Sequence, residues 1–321
     1  MLNKTFARYF AEGKKPLKQV GNSLVAKGVR YKIRNNIPRF TPDISYSTGN
    51  FSRLRDKHAT LQLDSRNGTV DRRNTLLNRT QWPAEYFKGK TVLECGCGAG
   101  PDTEILLNLG AKVMSVDIAG VDTAQKNLKT NPNFSNLQLV QDSIAALHLK
   151  EKSFDIVFCH RVLQHTPDPE ATLDHILKFA KKDGDVFVHS YSDSRFQRWR
   201  WKYALLPLTN KLPSPLLYAV IKLYAWPVFF ITNITNRFTI GEKFNHIFVP
   251  FLNYRSSKKF ANKSNAFIVE YGIHDTFDAL SPRYDKPLPP KKMAEIAKKY
   301  VEKDFEVFTD PGITLLRTKV T

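Results

Sequence analysis

Glu94 is followed by glycine at every second position, Gly96, Gly98 and Gly100, and then by Pro101 and Asp102. Glycines at that spacing let a backbone turn sharply and approach a ligand with no Cβ in the way. Upstream, Thr91-Val92-Leu93 has the β-branched and apolar side chains of a buried strand. Downstream, Pro101 suits the first position of a helix, and Asp102 and Glu104 favour its positive end. Strand, glycine turn and helix start make a nucleotide-type site at the carboxyl edge of a parallel sheet. The dinucleotide fingerprint needs a further glycine where Pro101 stands, and no Gly-Lys-Ser/Thr follows for a phosphate loop, so both of those chemistries are excluded.

The second candidate residue is Asp117, which ends an expected strand, Lys112 to Asp117, about 20 residues beyond the glycines. A carboxylate there can accept both hydroxyls of a ribose, and the alternative reading is a helix cap. Glu94-x-Gly-x-Gly-x-Gly resembles the first motif of the class I S-adenosylmethionine-dependent methyltransferases. That resemblance implies a bound S-adenosyl-L-methionine. Glu94 suits its amino and sulfonium end, Gly96, Gly98 and Gly100 admit the methionine part, and Asp117 takes the ribose. Asp142, after the strand Leu137 to Val140, inherits the family's contact to the adenine amine, with Ser143 beside it. A helix cap is the competing role for both. Cys159, closing the strand Phe154 to Cys159, is grouped with the cofactor contacts.

His160-Arg161-Val162-Leu163-Gln164-His165-Thr166-Pro167-Asp168-Pro169 resembles a stretch of small-molecule methyltransferases, including those of ubiquinone and menaquinone synthesis. It is unlike the Asn/Asp-Pro-Pro-Tyr motif used on nucleobase amines. His165 is the candidate general base for a hydroxyl or acidic carbon, because it follows the fourth strand near the ligand edge. His160, His189 and His274 are alternatives, and a structural histidine is the commoner case. Tyr271 to Tyr284 resembles an Asp-x-Phe-Asp-x-Leu-Ser-Pro-x-Tyr stretch of the same relatives. It offers His274, Arg283 and Tyr284 as substrate-binding residues, with Arg198 added from the aromatic and basic run Arg195 to Tyr203. Residues 36–83 resemble a lead-in in which a zinc ribbon can precede the Ile-Pro-Arg-Phe stretch. No cysteine stands before Cys95, so no metal site is carried over.

These residues need a scaffold. Strand and helix signals alternate five times from Thr91 to Ser190, the last strand being Val186 to Ser190. A final helix from about Pro290 to Lys303 precedes a hairpin turning at Asp310-Pro311-Gly312. The fold expected is α/β, a Rossmann-like, doubly wound, mostly parallel seven-stranded sheet with a terminal antiparallel hairpin and a helical lid insertion. Residues 1–40 read as a basic N-terminal tail. Residues 41–193 and 288–321 read as the methyltransferase core with a helical lead-in. Residues 194–287 interrupt the alternation and are far longer than the roughly 15 residues of a structureless loop. Their apolar runs, broken by Lys222 and Pro227, fall short of the roughly 20 clean residues of a spanning helix. They read as a lid, or as an interfacial helix pair.

The chain of 321 residues carries a net charge of +19, which favours an anionic partner. Its three cysteines show no disulfide framework, and no secretory apolar core follows the basic start, so a cytoplasmic, membrane-associated location is expected. The leading reading is methyl transfer by in-line displacement to a small-molecule or lipid-like acceptor, with an anionic membrane surface as partner. A second reading is an RNA methyltransferase using the basic surface. A third is a non-catalytic binding protein that keeps the fold.

Overall fold

The computed structural model describes residues 2–41, 57–191, 200–301, 305–310 and 313–320. Six short strands open the chain: Ala11–Glu12 (β1), Lys15–Pro16 (β2), Lys18–Val20 (β3), Ser23–Ala26 (β4), Val29–Arg34 (β5) and Ile37–Arg39 (β6). Helices Asp64–Asn67 (α1) and Asp71–Thr80 (α2) follow. The alternating unit is Thr91–Cys95 (β7), Pro101–Asn108 (α3), Lys112–Asp117 (β8), Val121–Leu128 (α4), Leu137–Gln141 (β9), Phe154–His160 (β10), Pro169–Leu177 (α5) and Ala180–Tyr191 (β11). Four helices come next: Trp201–Thr209 (α6), Ser214–Thr235 (α7), Thr239–Phe248 (α8) and Asn265–Leu280 (α9). Pro290–Ala297 (α10), Glu306–Asp310 (β12) and Ile313–Lys319 (β13) complete the chain as described.

The main sheet runs β12-β13-β11-β10-β7-β8-β9-β6-β5-β4-β3. From β9 to β11 every pairing is parallel, and β13 inserts antiparallel between β11 and β12. The α/β Rossmann-like expectation holds for this centre, with β7 buried along its whole length as its composition requires. The strand count does not hold. Seven strands form the expected unit, and four from the N-terminus extend it to an eleven-stranded sheet among the described residues. β6 joins β9 in parallel, and β5, β4 and β3 add on in antiparallel order.

The basic tail is therefore corrected to a folded element. Leu2, Phe6, Tyr9, Phe10, Leu17 and Leu24 are buried in the same core as Leu93, Val157 and Val186. Tyr9 meets the ring of Phe154 edge-on at 5.2 Å. The many Lys and Arg side chains sit on the solvent side of a strand whose alternate residues face inward, as the exposure pattern of β5 shows.

Two local departures have simple causes. Asp183-Gly184-Asp185, ahead of the expected strand Val186 to Ser190, lies inside β11 as a register shift against β10, with Asp183 in a left-handed conformation. Helix α3 is buried from Pro101 to Leu107, not on one face alone, because α2 packs on its outer side and Ser65 of α1 bonds to Glu104.

Candidate active site

The glycine turn leaves β7 beside the carboxyl end of β8. Gly96 has φ +85°, and a Cβ on it would lie 2.4 Å from a methyl of Val162. Gly98 also has a positive φ, and its amide donates to Asp117 Oδ2 at 2.9 Å. Asp117 Oδ1 accepts from the amides of Ala119 and Gly120 at 2.9 and 2.8 Å. One carboxylate thus ties the turn after β8 to the turn after β7. The two turns touch: a Cβ on Gly120 would lie 2.3 Å from the carbonyl oxygen of Gly98.

A cavity of about 970 Å³ opens at this edge of the sheet. Gly96, Gly98, Asp117, Asp142 and Ser143 line one part of it, and His160, Arg161, His165, His189 and Tyr191 another. The insertion supplies a third part of the wall, including Trp201, Tyr254, His274 and His246. Ala59, Leu63, Arg72 and Arg79 come from the lead-in. The cavity is large enough for a cofactor and a small acceptor together.

Asp142 is buried and accepts from the Ser143 amide at 2.8 Å and from both the amide and Nδ1 of His148 at 2.9 Å. Burial raises the Asp142 carboxyl above its ordinary value, more than the His148 contacts lower it. The His148 ring in turn stacks on Phe40 at 4.5 Å with 3° between planes.

Asp102 is a further buried acid of the cavity wall. Arg72 donates to it through Nε and Nη2 at 2.6 and 2.5 Å, and His160 Nδ1 donates to Oδ2 at 2.8 Å. Against the upward push of burial, Arg72 and then His160 hold this carboxyl well below the usual range. Arg79 Nη1 donates to His160 Nε2 at 2.6 Å, which fixes a neutral tautomer. Burial, opposed by Asp102, pushes His160 down to about 3. The sequence shows Asp102 only as a helix-start acid, and Arg72 and Arg79 only as part of the lead-in, with no site role attached.

His165 lines the cavity, with Nδ1 3.1 Å from the carbonyl oxygen of Tyr284. His274 Nδ1 donates to Asp275 Oδ1 at 2.8 Å, and the hydroxyl of Tyr254 donates to Asp275 Oδ2 at 2.5 Å.

Other expected site residues lie elsewhere. Glu94 does not line the cavity. It is buried beneath the turn, where Oε2 accepts from Thr103 and Ser115 hydroxyls at 2.6 Å each. Burial, and then the charge of Asp102, pushes it up to about 7. Gly100 is a packing glycine, where a Cβ would lie 2.8 Å from Leu128. Cys159 is fully buried in the core and is not among the lining residues, because both faces of its strand are covered. Arg283 and Tyr284 are absent from the cavity lining, and the Tyr284 carbonyl oxygen lies 3.1 Å from Nδ1 of the lining residue His165. Arg198 lies outside the described residues.

Residues 93–188 match the methyltransferase domain family model. The ubiquinone biosynthesis O-methyltransferase of Pseudoalteromonas translucida is 29% identical over 135 residues, 41% of this chain and 49% of that protein. The protein of the same description from Idiomarina loihiensis is 35% identical over 102 residues, 31% of this chain and 41% of its own length. The chain therefore spans about half or less of these relatives. A solved magnesium protoporphyrin IX methyltransferase of Synechocystis, with bound SAH, aligns over 87% of this chain and 96% of its own at 14% identity and a TM-score of 0.44.

Proposed function

We propose that this chain, whose residues 93–188 are a class I S-adenosylmethionine-dependent methyltransferase domain, methylates a small, lipid-like acceptor at a membrane surface. S-adenosyl-L-methionine is the methyl donor. When bound, it supplies a sulfonium methyl group open to in-line displacement, and the protein's work is positioning. The positive-φ glycines Gly96 and Gly98 admit its methionine part closely, and Asp117 and Asp142 with Ser143 stand where ribose and adenine would be held. Glu94 acts from below by bracing the turn through Thr103 and Ser115.

The observation that carries the lipid-like reading is the outer surface of the insertion. Along α7, Leu217, Ile221, Ala225, Phe229 and Thr232 form a buried stripe that packs towards α9. The opposite side is apolar and open: Leu223 is 82% exposed, Phe230 54% and Ile234 61%. Helix α8 adds Ile240 at 84% and Phe248 at 61%. Exposed Lys211, Lys222, Arg237 and Lys243 border this face. α7 has the length and hydropathy of a membrane span. One side is committed to protein, so the helix lies in the interface with its basic border at anionic headgroups. α8 also carries His246 into the cavity wall, which puts the apolar surface next to the site. The same helices act as the lid.

The test is co-sedimentation of the full chain with phosphatidylcholine vesicles, with and without phosphatidylglycerol. Binding is expected to the anionic vesicles and to be lost in a Leu223→Glu, Phe230→Glu, Ile240→Glu variant that still binds S-adenosylmethionine in calorimetry. Equal sedimentation of variant and parent would refute the surface assignment. RNA affinity that falls steeply with salt would point to the RNA reading instead. Against that reading, Trp201 of the basic aromatic run is 5% exposed and is no stacking platform.

A further inference from the structure

His189 is 1% exposed, lines the cavity, and neither of its ring nitrogens has a hydrogen-bond partner among the described residues. A buried polar group left unpaired costs about 1–3 kcal/mol, so a side chain kept this way in a cavity wall calls for a partner from outside the chain. It stands at the carboxyl end of β11, paired in register with His160 of β10, whose ring it meets edge-on at 5.1 Å. His160 has both ring nitrogens engaged, by Asp102 and Arg79, and is not available to a ligand.

One residue beyond His160, Arg161 holds φ +62° and lines the same cavity. A left-handed conformation in a residue with a long side chain costs roughly 1–2 kcal/mol, and such strain is retained where it aims a group. No carboxylate lies within ion-pairing distance of its guanidinium among the described residues. Asp275, an acid that its charge reaches, is already bonded to His274 and Tyr254. The cavity thus presents an uncommitted cation and an uncommitted imidazole.

We propose that Arg161 and His189 form the acceptor half of the site, with Arg161 holding the developing oxyanion of an acidic hydroxyl and His189 receiving its proton. This rests on the methyl-transfer reading and assigns the base to His189 in place of His165. The hydroxyl oxygen bonds to the methyl carbon as the carbon–sulfur bond breaks. That bond's electron pair passes to sulfur, which leaves as a neutral thioether, and the hydroxyl proton passes to a ring nitrogen of His189 and then to solvent. Burial, together with the nearby charges of Arg79, Arg161 and Arg72, keeps His189 neutral and able to accept. The hydroxyl becomes strongly acidic as its oxygen is alkylated, so a weak base suffices. Aromatic acceptors fit the wall, where Tyr191 and Tyr254 are held protonated by burial.

The probe is para-nitrophenol, whose phenolate absorbs visible light and whose phenol form does not. It is titrated into the full chain with S-adenosylhomocysteine present, below the pH at which the free probe ionises. The parent is expected to raise the phenolate fraction severalfold. Arg161→Met, with the same backbone strain, is expected to abolish that rise. His189→Phe is expected to slow methylation of unsubstituted phenol by roughly 100-fold, within the usual range for a general base. The same variant should change methylation of para-nitrophenol, ionised beforehand at higher pH, by less than about threefold. A structural role would slow both probes alike, and that result would overturn the proposal. So would a parent that leaves the probe spectrum unmoved, or a shift that survives in Arg161→Met. Absence of S-adenosylmethionine binding by the parent in calorimetry would instead overturn the proposed function, and this inference with it.

Discussion

Gly120→Ala isolates the contact on which the donor site depends. Gly120 has φ −87° and ψ −7°, which any residue adopts, so backbone freedom is no reason for glycine here. On entropy alone an alanine would stabilise the fold by about 0.4–1 kcal/mol. The obstacle is steric: the new methyl would meet the Gly98 carbonyl oxygen at 2.3 Å, its carbon at 2.6 Å and its Cα at 2.9 Å. Those are backbone atoms of the glycine turn and cannot swing aside. Relief to ordinary contact needs a separation of roughly 1 Å between the two turns. A shift of that size strips the Gly98 amide from Asp117 Oδ2, now 2.9 Å away. Crowding costs about 1–3 kcal/mol and a hydrogen bond to a charged acceptor about 1.5–3 kcal/mol. After the entropic gain the net loss is about 1.5–5.5 kcal/mol, divided between the fold and the bound cofactor. The expected outcome is a melting temperature lower by a few degrees and S-adenosylmethionine affinity weaker by about 10–100-fold, since about 1.4 kcal/mol is a factor of ten. Calorimetry and thermal denaturation of the same preparation read both. An alanine variant that binds within twofold of the parent and melts no lower would refute the contact and the account of the turn built on it.

Asp102→Asn removes the charge that Arg72 and His160 share, leaving a buried guanidinium uncompensated. A loss of about 3–5 kcal/mol is expected in denaturant unfolding, against little change for an exposed acid such as Glu295. Glu94, raised to about 7 by burial, favours its proton in the folded state. Its stabilisation is complete below its ordinary value of 4.5 and lost as pH rises through about 7, so Glu94→Gln should flatten the fall in melting temperature across that window. For His148, burial lowers the ring's proton affinity but the Asp142 contacts outweigh it, and the net direction is upward from 6.5. That pair stabilises fully below pH 6.5 and weakens as pH rises through the raised value, so S-adenosylhomocysteine affinity should decline over that range in the parent and much less in His148→Gln.

The strands and helices from Thr91 to Ser190 were legible because each carries its own signal: an apolar run, a glycine turn or a proline start. Asp117 was legible as an acid near the glycine turn from its distance to the glycines, yet its bonds to Gly98, Ala119 and Gly120 were not. The same limit explains Glu94 and Cys159. Position in a motif or at a strand end does not tell whether a side chain reaches the opening, and because both faces of β7 and β10 are covered, Cys95 and Cys159 are core residues. The cluster of Arg72, Asp102, His160 and Arg79 was hidden for a different reason. It joins a lead-in helix to the ligand edge of the sheet across 81 residues of sequence, and no local pattern encodes such a pairing.

The N-terminal strands were legible in principle, and net charge obscured them. Val29-Arg30-Tyr31-Lys32-Ile33-Arg34 alternates apolar and basic residues, which is the signature of a half-buried strand. Asn35 and Asn36 both hold positive φ, the requirement of a tight hairpin turn into β6. Composition read as a tail what periodicity reads as a sheet edge. The distinction matters for chemistry, because this edge reaches the cofactor side of the cavity. Phe40 stacks on the His148 ring, the Tyr31 ring lies 5.0 Å from it, and Tyr31 donates at 2.7 Å to Glu12, an acid 3.7 Å from His148 Nε2. His148 then holds Asp142. The ring that holds Asp142 is therefore packed by strands that precede the matched residues in sequence, and residues 93–188 alone would keep His148 but lose Phe40, Tyr31 and Glu12 around it.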